Sequence, residues 1–248
     1  MAGLRKRPAY ALYHLLWEAL DWIFPPTCGG CGKFAERWCP DCQAGLTRLP
    51  ASICQICGIP LPQIGTCHEC QVSRPEYQAL RSYCAYSGTA RRAILRLKYS
   101  KDIGLGEALG QHLHELFNRE TWSIDFVTCV PLSRGRLRVR GYNQAAMLAR
   151  PLALEINRPF APLLLRKTRE APTQVGLSAS ERRSNVDGAF AAGGNTDFNG
   201  RKILIIDDVT TTGSTMNACA RALHQAGAAE VYGLTFARAG LHDPIANP

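Results

Sequence analysis

The sequence predicts an α/β protein, a mostly parallel sheet flanked by helices, behind a small N-terminal domain organised by cysteine. Three observations predict it. Short apolar runs alternate with stretches of helical period. One run, Ile203-Leu204-Ile205-Ile206, is apolar at every residue, as a strand covered on both faces must be. Eight of the 11 cysteines fall in four Cys-x-x-Cys pairs within 43 residues. With 248 residues and 46% apolar content, the chain can bury one sizeable core plus an appendage too small to hold itself together without metal.

Residues 1–26 read as an amphipathic helix. Arg5, Lys6 and Arg7 precede Ala9 to Phe24, where Tyr13, Leu16, Leu20 and Ile23 form a stripe with Tyr10, Trp17 and Phe24 beside it, and Pro25-Pro26 ends the helix. This stripe is expected to pack on the protein. Glu18 and Asp21 interrupt the apolar stretch and no small-residue cleavage site follows, so a signal peptide is not expected. No window reaches the length of a membrane span, and the expected compartment is the cytoplasm.

Residues 27–75 carry Cys28, Cys31, Cys39, Cys42, Cys54, Cys57, Cys67 and Cys70. A Cys-x-x-Cys knuckle sets two sulfurs about one tetrahedral edge apart, and two knuckles complete the four-thiolate shell that structural Zn²⁺ prefers. Two zinc ions follow. A disulfide framework suits a secreted chain, and nothing here looks secreted. The simplest pairing joins Cys28, Cys31, Cys39 and Cys42 on one ion and the other four on the second, while the spacing leaves an interleaved pairing open. Gly29, Gly30, Gly32 and Gly58 fit tight turns whose N–H groups point at sulfur. No ligand slot is left for substrate, so both sites read as structural. His68 is then an exposed bystander, and Cys84, Cys129 and Cys219 pack as small apolar residues.

Residues 76–240 supply the alternation. Strands are expected at Leu80 to Tyr86, Phe126 to Val130, Leu163 to Arg166, Ala189 to Phe190, Ile203 to Ile206 and Val231 to Phe236. Helices are expected at Thr89 to Leu97, Leu105 to Asn118, Asn143 to Ile156 and Thr215 to Gln225. The polar stretch 169–196 reads as a loop over a site.

The strand Ile203 to Ile206 runs into Asp207, Asp208, Val209, Thr210, Thr211, Thr212, Gly213, Ser214 and Thr215. Open α/β sheets place their ligands at the carboxyl ends of such strands. Gly213 is free to take a positive φ, and the successive N–H groups of the turn can form an anion nest against the dipole of the following helix. A phosphate fits there. Neither a Gly-x4-Gly-Lys-Ser/Thr loop nor a Gly-x-Gly-x-x-Gly fingerprint occurs, which removes the two common alternatives. The run resembles the 5-phosphoribosyl-1-pyrophosphate (PRPP) loop of the type I phosphoribosyltransferases.

The whole order resembles the ComF family, competence-associated phosphoribosyltransferase-like proteins in which a cysteine-knuckle head precedes such a domain. The resemblance extends through Leu97-Lys98-Tyr99, Val130-Pro131-Leu132, the run from Arg138 to Gln144, Gln174-Val175-Gly176-Leu177, and Glu181-Arg182-Arg183-Ser184-Asn185. It implies a type I phosphoribosyltransferase-like fold. Asp207 and Asp208 are then the acids at the ribose hydroxyls, directly or through Mg²⁺, and Val209 to Thr215 hold PRPP by its 5′-phosphate. The strand-end segment Val130 to Ser133 falls where the superfamily places its pyrophosphate loop. Arg136, Arg138 and Arg140 are candidates to neutralise pyrophosphate, and Arg182 to close over it.

The formal net charge is +9, and eight zinc-bound thiolates with two Zn²⁺ ions bring it to about +5. Its basic groups, Arg91, Arg92, Arg96, Lys98 and Lys101 in one and Arg134 to Arg140 in another, are expected to attract phosphates. A magnesium-dependent phosphoribosyltransferase acting on PRPP is therefore expected, in the setting of DNA uptake or of DNA as a nutrient. Glutamine-dependent amination is not expected, since the first cysteine is Cys28 inside a knuckle. The alternative is a non-catalytic accessory that binds single-stranded DNA and whose PRPP site is regulatory or vestigial. The family also suggests a helicase-like partner in DNA uptake.

Overall fold

A computed structural model describes residues 8–168, 188–193 and 197–241. Four parallel strands lie in the order β1-β6-β5-β2, formed by β1 (Ala79–Ala85), β2 (Phe126–Cys129), β5 (Lys202–Thr210) and β6 (Glu230–Arg238). All four residues Ile203 to Ile206 are fully buried, because successive side chains of the central strand enter different cores. Leu204 and Ile206 meet α4 (Gly88–Tyr99), α5 (Leu105–Phe117) and α7 (Gln144–Glu155). Ile203 and Ile205 meet α8 (Ser214–Gln225), the second group of cysteines and the pair β3 (Leu165–Lys167) and β4 (Phe190–Ala192). The continuous apolar run thus reports a sheet covered on both sides. Cys84, Cys129 and Cys219 are buried in it as small apolar residues.

Three elements depart from the sequence reading. First, β5 does not stop at Ile206: it runs on through Asp207, Asp208 and Val209 to Thr210, because the equally long β6 stays in register as far as Thr210 opposite Arg238. Second, β3 and β4 pair antiparallel with each other and stand outside the parallel sheet. Third, α6 (Arg134–Arg140) is a helix with no buried residue, so hydrophobic period gave no sign of it.

Helix α1 (Pro8–Ile23) packs on the body, but not by the stripe expected. Leu16, Leu20 and Ile23 are exposed, whereas Tyr10 is buried. The contacts run along Tyr10, His14, Trp17 and Asp21. His14 Nδ1 lies 2.7 Å from Glu107 Oε1, Tyr10 OH 3.5 Å from Gln111 Nε2, and Arg37 stacks over Trp17 while pairing with Asp21. The surface beneath offers partners for polar and aromatic groups, and these decide the rotation of the helix. Among the described residues, no helix is long and apolar enough to cross a membrane.

Candidate functional site

The cysteines form two tetrads, Cys28, Cys31, Cys39 and Cys42, and Cys54, Cys57, Cys67 and Cys70, with each set of sulfurs within 4.8 Å of one another. The sequential pairing holds. Cys31 and Cys39 Sγ are 3.7 Å apart, as are Cys57 and Cys67 Sγ, which is about the edge of a tetrahedron with 2.3 Å Zn–S bonds. Each first knuckle closes on a glycine of positive φ, Gly32 at 80° and Gly58 at 71°, and each second knuckle opens a one-turn helix, α2 (Pro40–Ala44) or α3 (His68–Val72). Cys39 N–H donates to Cys28 Sγ and Cys67 N–H to Cys54 Sγ, both at 3.4 Å. Burial raises the Cys28 and Cys54 thiols, but such N–H donors outweigh it and bring each down to about 6. Four sulfurs close each shell, so zinc held here is structural. His68 is exposed.

Helix α4 clamps the first tetrad. Thr89 Oγ1 donates to Cys42 O at 3.1 Å, Arg96 donates to Cys28 O at 2.8 Å and to Thr27 Oγ1 at 2.7 Å, and Arg92 donates to Gly30 O. Arg92 and Arg96 are therefore committed to backbone carbonyls and do not make the phosphate patch expected of them.

The next cation of α4 reaches the acids. Lys98 Nζ sits 2.5 Å from Asp208 Oδ2, and Gln144 at the start of α7 donates to Asp208 Oδ1 at 3.0 Å. Asp208 is only 3% exposed. Burial works against the Lys98 charge, yet the Asp208 carboxylate more than compensates and holds Lys98 above its ordinary value. Adjacent strand residues lean to opposite faces, so Asp207 does not share this partner set, although its Oδ1 accepts the Asp208 N–H at 2.9 Å. Loss of hydration, reinforced by the Asp208 charge, pushes the half-buried Asp207 well above the usual carboxylate range.

Beyond Thr210 the chain bends through Thr211 and Thr212, both exposed, to Gly213, which caps α8 with φ 81°. Thr212 Oγ1 accepts from Ser214 N–H at 3.4 Å, and the first N–H groups of α8 lack intrahelical acceptors. The turn expected from Thr210 to Thr215 is shorter, Thr211 to Gly213, because Thr210 stays paired in β5 and the helix opens at Ser214. Of the expected arginine clamp, Arg140 joins the site: it donates to Gln144 Oε1 and lies 5.5 Å from the ring of Tyr99. Arg136 and Arg138 are exposed on α6 and make no ion pair among the described residues, and Arg182 lies outside the described residues. Sequence reasoning did not assign Lys98 to Asp208, and it missed Arg238 altogether. Lys98 was signalled by its place in Leu97-Lys98-Tyr99 and in the basic group from Arg91 to Lys101, and Arg238 gave no signal.

The double zinc ribbon domain family matches residues 19–71, and the phosphoribosyl transferase domain family matches residues 142–241. Over 191 residues, 75% of this chain and 83% of the relative, the sequence is 32% identical to DNA utilization protein YhgH of Escherichia coli (strain K12). It is 29% identical to competence protein ComFC of Bacillus subtilis (strain 168) over 90% of this chain and 89% of the relative. The chain belongs to the ComF family. Competence protein F of Haemophilus influenzae is a further ComF relative, 29% identical over 81% of this chain and 90% of its own length. The ComF architecture, zinc-binding head followed by phosphoribosyltransferase-like sheet, is the one described above.

Proposed function

We propose that this ComF chain binds PRPP together with Mg²⁺ and transfers its phosphoribosyl group, in the setting of DNA uptake or DNA utilization that its relatives' names indicate. One observation carries the reading: a central parallel strand delivers two adjacent carboxylates directly into a glycine-capped loop that opens a helix. The loop N–H groups and the α8 dipole suit a 5′-phosphate, and acceptor carboxylates one step upstream suit ribose hydroxyls. Lys98 and Gln144 hold Asp208 as an ordered carboxylate. Hydroxyl donors or a cation at Asp207 favour its charged form, against the burial and the neighbouring charge that raise its pKa.

Mg²⁺ fits as a companion of the substrate. It is usually held by one or two carboxylates plus substrate phosphates, and the described residues offer such a pair and no carboxylate cage of three. When bound, it supplies charge neutralisation for departing pyrophosphate. The reaction breaks the bond between C1 and pyrophosphate with oxocarbenium character at the sugar, so positioned charge matters more than a strong base. Arg140 is joined to Asp208 through Gln144 and is assigned to the pyrophosphate side. Thermal denaturation tests the reading: PRPP with Mg²⁺ raises the melting temperature of the native chain. A screen of nucleobases for pyrophosphate release then identifies the acceptor. No thermal shift at millimolar PRPP contradicts the proposal.

A second reading rests on a different surface. Arg134, Arg136 and Arg138 are exposed on α6, and Tyr99, 73% exposed, stands beside Arg140, a combination suited to phosphates and an unstacked base. Retardation of single-stranded DNA that weakens steeply with salt supports this reading, and no retardation at low salt removes it.

A further inference from the structure

Behind the loop from Thr211 to Ser214 lies the second cysteine tetrad, and one buried side chain touches both. Arg238, the last residue of β6, is 2% exposed. Its Nη1 donates to Thr211 O at 3.1 Å and its Nη2 donates to Cys57 O. The backbone of Arg238 is fixed by its register opposite Thr210, and Ala239 N–H closes on Thr210 O at 2.8 Å. We propose that Arg238 is a positioning residue through which the second cysteine tetrad holds the phosphate loop in its receptive shape. The inference rests on the PRPP reading above and adds to it a mechanical link between the zinc-binding head and the sugar-phosphate site.

Every described peptide bond is trans, so the carbonyl of Thr211 and the N–H of Thr212 point in opposite directions. A guanidinium that holds the carbonyl inward therefore turns the N–H outward, toward a guest. Tyr77 closes the same side: a Cβ on Gly213 would meet its phenol oxygen at 2.7 Å, and Tyr77 is packed in one apolar cluster with Cys54, Cys57 and Cys70. The loop cannot relax inward while the tetrad stands.

The anchor itself is rigid. Leu80 N–H donates to Ile56 O at 2.7 Å, and a Cβ on Gly58 would meet Leu80 O at 2.4 Å, so the knuckle carrying Cys57 lies against β1. Only a planar fork with several donors can span two carbonyls belonging to different segments. Lysine brings one ammonium and cannot reproduce both bonds in fixed directions.

The test uses the full zinc-loaded chain. Native protein, Arg238→Met and Arg238→Lys are compared by zinc content, by hydrogen–deuterium exchange of residues 209–215, and by calorimetric titration with PRPP and Mg²⁺. We expect both variants to retain both zinc ions. In Arg238→Met, loop exchange rises about tenfold and PRPP affinity falls about tenfold, as loss of one charge-assisted hydrogen bond implies, with Arg238→Lys between it and native. A folded, zinc-loaded Arg238→Met with native loop exchange overturns the proposal, whatever its affinity. So does raised exchange with native affinity. If Arg238→Met does not fold, Arg238→Lys decides by the same two readings, and failure of both to fold also overturns it, since the role assigned is local. A native chain that takes up no PRPP refutes the reading of the site instead, and the exchange arm still decides whether Arg238 holds the loop.

Discussion

Replacing Lys98 with methionine removes the cation from a nearly inaccessible carboxylate while keeping most of the side-chain volume. Asp208 is then left with Gln144 on Oδ1 and nothing on Oδ2. Breaking a buried ion pair by deleting one member costs about 3–5 kcal/mol. The Lys98 side chain is 22% exposed, so water reaches that end of the pair, and we take the lower bound of about 3 kcal/mol. In a chain of this size each kcal/mol lowers the melting temperature by about 2–4 °C, giving a fall of about 6–12 °C. The assay is calorimetric melting of the zinc-loaded protein at pH 7.5, run as a double-mutant cycle with Asp208→Asn. The double variant should recover about 1 kcal/mol or more relative to the sum of the singles. A Lys98→Met chain that melts within about 1 °C of native, or a cycle that is simply additive, refutes the buried pair.

Two further predictions concern the head and the core. His112 is 8% exposed and stacked 4.7 Å from the ring of Tyr83, and burial pulls its pKa down to about 4. The native state keeps it neutral while the unfolded chain protonates below about 6.5, so its contribution is lost as pH falls from 6.5 toward 4, about 1.4 kcal/mol by pH 5.5. His112→Phe should flatten the pH dependence of unfolding between pH 7.5 and 5.5 by that amount, and unchanged slopes contradict the assignment. Stripping the metal with a strong chelator should abolish exchange protection at the Cys39 and Cys67 amides and release one zinc from each tetrad. Metal analysis well below that ratio contradicts the paired tetrads.

The sequence carried the architecture where its signals are local. Ile203 to Ile206 announced two-sided burial because no residue in the run has a polar face to show. Gly213 announced its turn because few other residues accept its backbone. Cysteine spacing announced the knuckles, while their pairing waited for three dimensions. Signals failed where the partner is distant in the chain: Lys98 and Asp208 are joined by the crossing of α4 over the sheet, and nothing near either names the other. Helix α1 shows how amphipathic period misleads. Its leucines form a regular stripe, but Glu107, Gln111 and Arg37 offer specific partners to Tyr10, His14, Trp17 and Asp21, and the helix turns toward them. The end of β5 was misplaced for a similar reason, since two acids look like a strand terminus until β6 is laid beside them.

The central claim is that the acids of β5 and the loop after them receive PRPP. Isothermal titration of the native chain and of the Asp207→Asn/Asp208→Asn variant with PRPP, with and without Mg²⁺, measures this directly. We predict saturable, magnesium-dependent binding by the native chain and none by a variant that still folds and still holds its zinc. Equal heats from the two proteins, or no heat from either, contradict the account.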